Sequence, residues 1–288
     1  MDPGGWVNSQ LFDHTSLIRF LEARFARGNA DLIEPSITPW RRAVVGDLTS
    51  AFDFRKPNTS RQVRLPDTSD LEPVNLVRQP DQVPVPPSNP RLPGQEQGVR
   101  PARAIPYTLH ADGLAGATSF SIHFQNSGAA AGSSTCDRPM RRSSRAATRS
   151  SRASGSPIAG TSPSGYDLSV HGPNGFFRRF KGGAGAQQAG LAIQALYGPR
   201  HDEIALEVEN RGSAPAEVTV SDQYSSWSTT LTFAPGGAKA LQFSLERTRG
   251  WYDLAVTVQG DPHLEYRYAG HLENGEASIS DPGMGGLI

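Results

Sequence analysis

The chain has 288 residues, and its 28 lysines and arginines balance its 28 aspartates and glutamates. This balance excludes the basic footprint that binding to nucleic acid or to an anionic membrane favours, so we expect no nucleic-acid partner. The single cysteine, Cys136, excludes an internal disulfide and a cysteine-rich zinc site.

No apolar run reaches the roughly 18 residues that a membrane-spanning helix needs, so no transmembrane segment is predicted. The start, MDPGGWVNSQ, lacks the basic-then-apolar layout of a secretory signal. As written, the chain is therefore expected to stay in the cytoplasm.

The first element is an amphipathic helix. Its apolar face contains Leu17, Ile18, Leu21 and Phe25, which recur at i, i+1, i+4 and i+8. Phe20 widens this face. Asp13 or Thr15 is a suitable cap. Only scattered apolar residues follow between Ile33 and Phe54, so residues 1–55 are predicted to be the edge of something larger.

A proline-rich stretch follows. Residues 56–103, with PDQVPVPPSNPRLP in the middle, lack apolar periodicity and predict an extended linker.

Beyond this linker the pattern changes to short alternating segments that predict half-buried strands. They are SFSIHF (119–124), YDLSV (166–170), IALEVEN (204–210), AEVTV (216–220), TLTF (230–233) and YDLAVTV (252–258). Loops rich in glycine, proline, asparagine and aspartate separate them without helical patterns. A mainly β fold of antiparallel sandwiches is therefore predicted.

The β region also repeats itself. FQNSG matches VENRG at an offset of 84 residues, GYDLSV matches WYDLAV at 86, and RRFKG matches YRYAG at 88. Three matches in order predict a duplicated domain, with the first copy over 104–183, the second over 187–275 and a tail over 276–288.

Residues 133–164 do not fit this repeat, since they hold ten serines and six arginines in 32 residues. One interpretation is a disordered basic loop, which removes a strand from the first copy. The other is a frameshift, because suitable codons for residues 145–159 encode a Tyr-Thr-Val strand and a turn in a neighbouring frame. The gene sequence decides between them.

The assembled strings resemble the bacterial phosphocholine-preferring phospholipases C, haemolytic and non-haemolytic. GGWVNSQLFDHTSLIRFLEARF and EPSITPWRRAVVGDLTSAFDF resemble the end of that family's catalytic domain, which has an alkaline-phosphatase-like α/β fold. GYDLSVHGPNGFFRRFKG, WYDLAV and YAGHLENGEASISDPGMGG resemble its paired C-terminal domains.

The resemblance implies hydrolysis of choline phospholipids to diacylglycerol and phosphocholine, by a secreted or periplasmic full-length protein. In the family, the nucleophile and the acidic metal-binding residues lie upstream of the segment that this chain matches. The chain itself is therefore expected to be inactive and to carry no cofactor or metal. Asp13 and His14 are the only candidate remnants of an active site, and helix capping is the alternative interpretation for them.

A second candidate site is HGPNGFFRRF. Arg178 and Arg179 are candidates for phosphate contact, and Phe176 and Phe177 for contact with lipid. The structural interpretation is a Pro-Asn-Gly turn between two strands, with aromatic residues alternating into the core. The tail SISDPGMGG either docks back onto the catalytic domain or is a flexible terminus.

Three functional hypotheses remain open. The chain is the C-terminal part of a lipid-cleaving enzyme, a non-enzymatic module that binds phospholipid, a membrane surface or a separately supplied catalytic domain, or a pseudogene product.

Overall fold

The computed structural model describes residues 5–55, 88–90, 97–116, 119–137, 146–150, 158–161, 165–183 and 190–284, with backbone alone for 146–150 and 158–161. Its N-terminal segment contains helices α1 (Thr15–Phe25) and α2 (Pro39–Val44) and the short 3₁₀ turns Ala30–Leu32 and Thr49–Ala51. The predicted helix is confirmed. Most of the predicted linker, residues 56–87 and 91–96, lies outside the described residues.

The described part of the β region contains fourteen strands, seven in each repeat. The first repeat holds β1 (Leu109–Ala115), β2 (Ser119–Asn126), β3 (Gly132–Asp137), β4 (Ala146–Ser150), β5 (Ile158–Thr161), β6 (Tyr166–His171) and β7 (Phe177–Gly182). The second holds β8 (Leu191–Tyr197), β9 (Glu203–Asn210), β10 (Ala216–Asp222), β11 (Ser228–Phe233), β12 (Ala238–Ser244), β13 (Trp251–Val258) and β14 (Asp261–His271).

Both repeats contribute to the same two sheets. One sheet has the order β12-β9-β8-β1-β2-β5 and the other β11-β10-β13-β14-β7-β6-β3-β4. Each order is symmetric about its centre, so the repeats are related by a pseudo-two-fold axis that passes between β1 and β8 and between β7 and β14. All strand pairs are antiparallel, which confirms the predicted mainly β, sandwich-like fold.

The core lies between the two sheets. Alternation along β9 buries Ile204, Leu206 and Val208, as a half-buried strand requires. Across the layers, the ring centroids of Phe120 and Phe180 lie 5.4 Å apart. Full burial of one such side chain contributes about 1.5–3 kcal/mol, so each inward-facing apolar residue stabilises the sandwich.

Residues 133–164 contain strands where a basic loop was the simpler prediction. β4 pairs with β3, and β5 pairs with β2, in the positions that β11 and β12 occupy in the second repeat. The prediction that a loop replaces a strand of the first repeat is therefore wrong, because the backbone here forms the paired strands β4 and β5. The frameshift stays a prediction, and residues 138–145, 151–157 and 162–164 lie outside the described residues.

The tail is docked rather than flexible as far as Met284. Arg100 and Ser278 exchange two backbone hydrogen bonds of 2.8 Å, and the Trp251 indole donates to the carbonyl of Ile279 at 2.9 Å. The Tyr224 hydroxyl donates to Asp281 at 2.9 Å. The tail thus lies against β13 and the end of the linker, because its backbone groups find partners there.

Candidate functional site

Asp13 and His14 lie at the start of α1. The Asp13 carboxylate accepts hydrogen bonds from the Thr15 hydroxyl at 2.6 Å and the Thr15 backbone N–H at 2.7 Å. The hydrogen bond from the Thr15 side chain is the main cause that lowers the pKa of Asp13. The positive charge of Arg41, 3.4 Å away, lowers it further. His14 is exposed. The carboxylate therefore organises the first turn of the helix.

The HGPNGFFRRF stretch forms the hairpin between β6 and β7. Asn174 and Gly175 have φ values of 56° and 72°, the left-handed pair that a tight hairpin turn requires. Because side chains alternate along β7, Phe177 and Arg179 are half-buried on one face and Arg178 is buried on the other. Phe176 is also buried, so the four candidate contact residues do not form one surface.

Arg178 is the main departure from the sequence prediction, since its guanidinium is fully buried between the repeats. It donates to the carbonyls of Phe177 and Ala269 at 2.8 and 2.9 Å and to the hydroxyls of Tyr197 and Tyr252 at 2.5 and 3.1 Å. Contact with a lipid phosphate is excluded in this structure because no solvent reaches the group.

Aromatic rings complete the surroundings of Arg178. Its guanidinium carbon lies 4.3 Å from the Phe176 ring centroid, 5.2 Å from that of Tyr268 and 5.5 Å from that of Tyr252. Such desolvated cation–π contacts offset part of the cost of burying the charge. The nearby Asp112 is half-buried, and desolvation of its carboxyl raises its pKa. The Arg178 Nε and Asp112 Oδ1 atoms have no hydrogen-bonding partner among the described residues.

Arg179 forms one of two equivalent ion pairs, one in each repeat. Its guanidinium binds Asp167 through two hydrogen bonds of 3.0 and 2.9 Å, and Arg267 binds Asp253 through two of 2.7 and 2.5 Å. Arg179 and Arg267 lie directly opposite each other where β7 pairs with β14. Like charges in directly opposite positions repel each other. Here each arginine is neutralised by the aspartate of its own repeat. Arg179 is therefore already committed to a carboxylate.

A polar cluster lies where the N-terminal segment, the linker end and the tail meet the sandwich. We call it the junction cluster, and it consists of Asn174, Trp251, His271, Glu273 and Ser278. The His271 ring stacks on Trp251 with centroids 4.3 Å apart and an interplanar angle of 9°. Its Nε2 lies 2.9 Å from Ser278 Oγ and 3.1 Å from the Arg249 carbonyl oxygen, and its Nδ1 lies 3.1 Å from Asn174 Nδ2.

Both titratable members of the junction cluster have shifted pKa values. Burial lowers the pKa of His271 to about 4 and raises that of Glu273 to about 7. Their side chains are 4 % and 2 % exposed, and His271 Nδ1 lies 3.9 Å from Glu273 Oε1. Desolvation disfavours the charged form of each group, so both are neutral over the mildly acidic range.

Ser278, His271 and Glu273 do not make a nucleophilic triad. The Ser278 hydroxyl donates to the Arg249 carbonyl at 2.8 Å, so its proton is not directed at the imidazole. A histidine with a pKa near 4 is also a poor general base, because efficient bases titrate near the working pH. The cluster is therefore suited to holding segments together rather than to acyl or phosphoryl transfer.

Three cavities meet at His271 and Glu273. One of about 140 Å³ lies between the sandwich and the segments of Val7, Arg100 and Ser278, and one of about 30 Å³ lies beside Tyr197 and Tyr252. A third, with a mostly polar lining, has about 750 Å³ between the loops around Asp202 and Glu246.

Two absences hold for the parts of the chain that the structure describes. In those ranges, no group of three or more histidine, cysteine, aspartate or glutamate side chains has the arrangement of a metal site. No helix in the same ranges is long and apolar enough to cross a membrane.

Sequence reasoning missed the junction cluster. Its members come from the β6–β7 turn, β13, β14 and the tail, so no local spacing links them. Part of the signal was present, since HLENGEASIS follows the repeated YRYAG string, yet the first repeat has no matching extension to compare. The ion pairs of Arg179 and Arg267 could be predicted from the sequence, because the repeat offset aligns both arginines and both aspartates.

The chain is similar to known phospholipases. Residues 101–183 and 191–271 match the family model described as bacterial phospholipase C, C-terminal domain. The chain is 39% identical to a non-hemolytic phospholipase C of Pseudomonas aeruginosa, over 98% of this chain and 42% of that protein. The identity is also 39% to a non-hemolytic phospholipase C of Burkholderia pseudomallei, over 97% and 41%, and 33% to a hemolytic phospholipase C of Pseudomonas aeruginosa, over 97% and 43%.

The chain thus spans about two-fifths of the length of these curated relatives. The family model covers more than half of the chain, once on each half of the sandwich. The chain belongs to the bacterial phospholipase C family.

Proposed function

We propose that this chain is the C-terminal, non-catalytic part of a phospholipase C that hydrolyses phosphatidylcholine-type lipids to diacylglycerol and phosphocholine. Its role in that enzyme is to hold residues 5–55, the end of the catalytic domain, on a rigid β scaffold. On its own the chain turns over no lipid. Full-length proteins of this kind are secreted or act in the periplasm.

The observation that carries the proposal is the exposed apolar face of α1. Leu17 and Phe25 are each 60 % exposed and Leu21 is 48 % exposed, although they form the stripe that an amphipathic helix normally buries. A stripe of this kind fits a helix whose partner is another part of the same enzyme. The extra length of the relatives provides such a partner.

The N-terminal segment is nevertheless fixed to the sandwich. The Val7 N–H donates to the Pro101 carbonyl at 2.9 Å, and the Leu11 N–H donates to the Tyr107 hydroxyl at 2.8 Å. The Trp6 ring lies under the Arg103 guanidinium at 4.1 Å. Such contacts support a scaffold role, because they orient α1 with respect to the β strands.

The test is complementation. The chain is assayed on phosphatidylcholine vesicles alone and with the part of the Pseudomonas aeruginosa non-hemolytic phospholipase C that precedes the matched region. We expect release of phosphocholine from the mixture and none from the chain. Saturable turnover by the chain alone overturns its assignment as non-catalytic, and an inactive mixture that also fails to associate overturns the scaffold role.

A pair of variants addresses the helix face in this assay. Leu21→Asp places a charge in the exposed stripe and should abolish complementation, whereas Ala23→Asp on the opposite side of α1 should leave it intact. Equal loss with both variants contradicts docking through this stripe.

A second candidate function, binding of a lipid surface by the sandwich, is favoured by Trp227. This ring is 44 % exposed beside β11 and contacts Phe243 edge-on at 5.1 Å. Co-sedimentation with phosphatidylcholine vesicles that Trp227→Ala abolishes, while Phe177→Ala retains it, supports this function. Sedimentation unchanged by Trp227→Ala contradicts it.

A further inference from the structure

The two sheets of the sandwich have four end strands, β11 and β4 in one sheet and β12 and β5 in the other. An end strand offers unpaired backbone N–H and C=O groups to other chains, and charges, proline or a short length protect it. In sequence, β4 and β12 carry Arg149 and Lys239, and β5 has only four residues. β11 has six residues, STTLTF, without a charge or a proline. It is thus the least protected of the four edges.

The hydrogen bonds of β10 show which backbone groups of β11 point away from the sheet. The Asp222 N–H donates to the Trp227 carbonyl at 3.0 Å, whereas the Glu217 carbonyl, in the opposite phase of β10, accepts from Gln259 beyond β13. Hydrogen-bonded pairs alternate along an antiparallel ladder, so every second residue after Trp227 bonds to β10. The residues between them direct their N–H and C=O groups outward, and they are Ser228, Thr230 and Thr232. Among the described residues, none hydrogen-bonds to these outward groups.

The side chains of β11 alternate between exposed and inward-facing. The exposed ones belong to the same three hydroxyl residues whose backbone groups point outward, and Thr230 Oγ1 lies 2.8 Å from Thr219 Oγ1 on β10. On the inner side, Leu231 is half-buried and Phe233 is buried. The core therefore holds β11 in place while its edge is open, so a further strand can pair with it without any unfolding.

A second copy of β11 fits this edge in one antiparallel register. Outward-facing residues must lie opposite each other for their N–H and C=O groups to meet. Their number is odd, so the middle one, Thr230, lies opposite itself, and Ser228 lies opposite Thr232. Each of these three pairs exchanges two backbone hydrogen bonds about a two-fold axis at Thr230. A charged peptide finds no counter-charge on β11, whereas two identical uncharged strands meet without repulsion.

We propose that β11 is a dimerisation edge, at which two copies of this chain pair antiparallel and join their eight-stranded sheets into one. The same residues contribute from both copies, so the contact is isologous and closes at two. Pairing of β11 with β4 of another copy would instead be head-to-tail and would continue into longer assemblies. The second copy is therefore the occupant of this edge, and the dimer needs neither lipid nor the catalytic part.

Sedimentation velocity of the full chain in lipid-free buffer tests the dimer. One added strand is a small interface, so we expect a dissociation constant on the order of 100 µM and measure from about 5 to 500 µM. The mass should rise from that of the 30.9 kDa chain toward twice this value. A chain that stays monomeric over the whole range overturns the dimer, and so does growth beyond two copies.

Thr230→Pro and Thr230→Val form a matched pair. Both remove the hydroxyl that contacts Thr219, but only proline removes the outward N–H. This N–H does not bond to β10, so the folded edge strand tolerates proline there. We expect proline to weaken dimerisation about tenfold or more, because both bonds across the axis are lost, and valine to change it less than about twofold. Equal association of the two variants contradicts pairing through the backbone of β11.

Charges at the same position test the register, and they decide the question even where the proline variant does not fold. Thr230→Lys and Thr230→Glu place like charges opposite each other only when this residue lies on the two-fold axis. Each variant alone should be monomeric, and an equimolar mixture of the two should dimerise. A mixture that stays monomeric, or a lysine variant that dimerises alone, overturns the proposed pairing. Lipid hydrolysis and the catalytic part enter none of these measurements, so the dimer and the proposed function fail separately.

Discussion

The two repeats share one strand order, but one fully buried position holds a cation in the first repeat and a neutral residue in the second. Tyr166 and Tyr252 are equivalent, and each reaches across to the other repeat. The Tyr166 hydroxyl lies 2.6 Å from the hydroxyl of Tyr266, whereas the Tyr252 hydroxyl accepts from Arg178, the equivalent of Tyr266. The same contact is thus made once between two neutral groups and once with a cation. Duplication preserves the framework, while the arginine at this position gives the two halves different chemistry.

The largest expected effect comes from Arg178→Ala. It leaves the Tyr197 and Tyr252 hydroxyls and two carbonyls without their donor, so we expect a loss of about 3 kcal/mol or more in the free energy of unfolding. Urea denaturation measures it. The matched control is Tyr266→Phe at the equivalent position, which should cost about 1 kcal/mol for one lost hydrogen bond. Equal losses would mean that the two positions are equivalent after all.

An intermediate and equal effect is expected for the repeated asparagines. Asn126 donates to the Ala130 carbonyl at 2.7 Å, and Asn210 donates to the Ala214 carbonyl at 2.8 Å, and each also accepts from a glycine N–H in its turn. Replacing either with alanine should cost about 2 kcal/mol, because buried backbone groups lose their partners. Thermal unfolding of both variants checks this. A large difference would show that the turns are not energetically equivalent.

The smallest effects are expected at the duplicated ion pairs. The Asp253 side chain is 12 % exposed and that of Asp167 is 28 % exposed. Asp253→Asn should therefore cost about 1–2 kcal/mol and Asp167→Asn less than about 1 kcal/mol, since solvent screens the second pair. Double-mutant cycles with Arg267→Ala and Arg179→Ala isolate each pair. A larger coupling at Asp167 would contradict the order that burial predicts.

All six predicted strand segments are confirmed, because the alternation of apolar and polar residues in each of them is clean. The IALEVEN and AEVTV segments lie in β9 and β10, within one or two residues of the predicted ends. β1 was missed because Asp112 and Gly113 interrupt its apolar pattern, although Gly113 is needed there. A Cβ at that position would lie about 2.5 Å from Phe120. Close packing across the layers, which has no local signal, explains that residue.

The candidate contact residues show the same limit. The Asn174–Gly175 turn and the alternation along β7 follow from local chemistry, and both were within reach of the structural interpretation of HGPNGFFRRF. The sequence did not show which of the two adjacent arginines lies inside, because sequence alone places arginine on the surface by default. Apart from the carbonyl of Phe177, the groups that accept hydrogen bonds from Arg178 come from β8, β13 and β14, which only the tertiary structure brings to it.

By itself, the sequence determined the amphipathic helix, the antiparallel β class, the duplication and the family resemblance, because periodicity, turn residues and repeat offsets are local or self-similar signals. The tertiary structure decided the rest. It joined the repeats into shared sheets, buried Arg178 and brought Asn174, Trp251 and Ser278 to His271 and Glu273. These features depend on desolvation and on partners distant in the chain, and no spacing along the sequence encodes either of them.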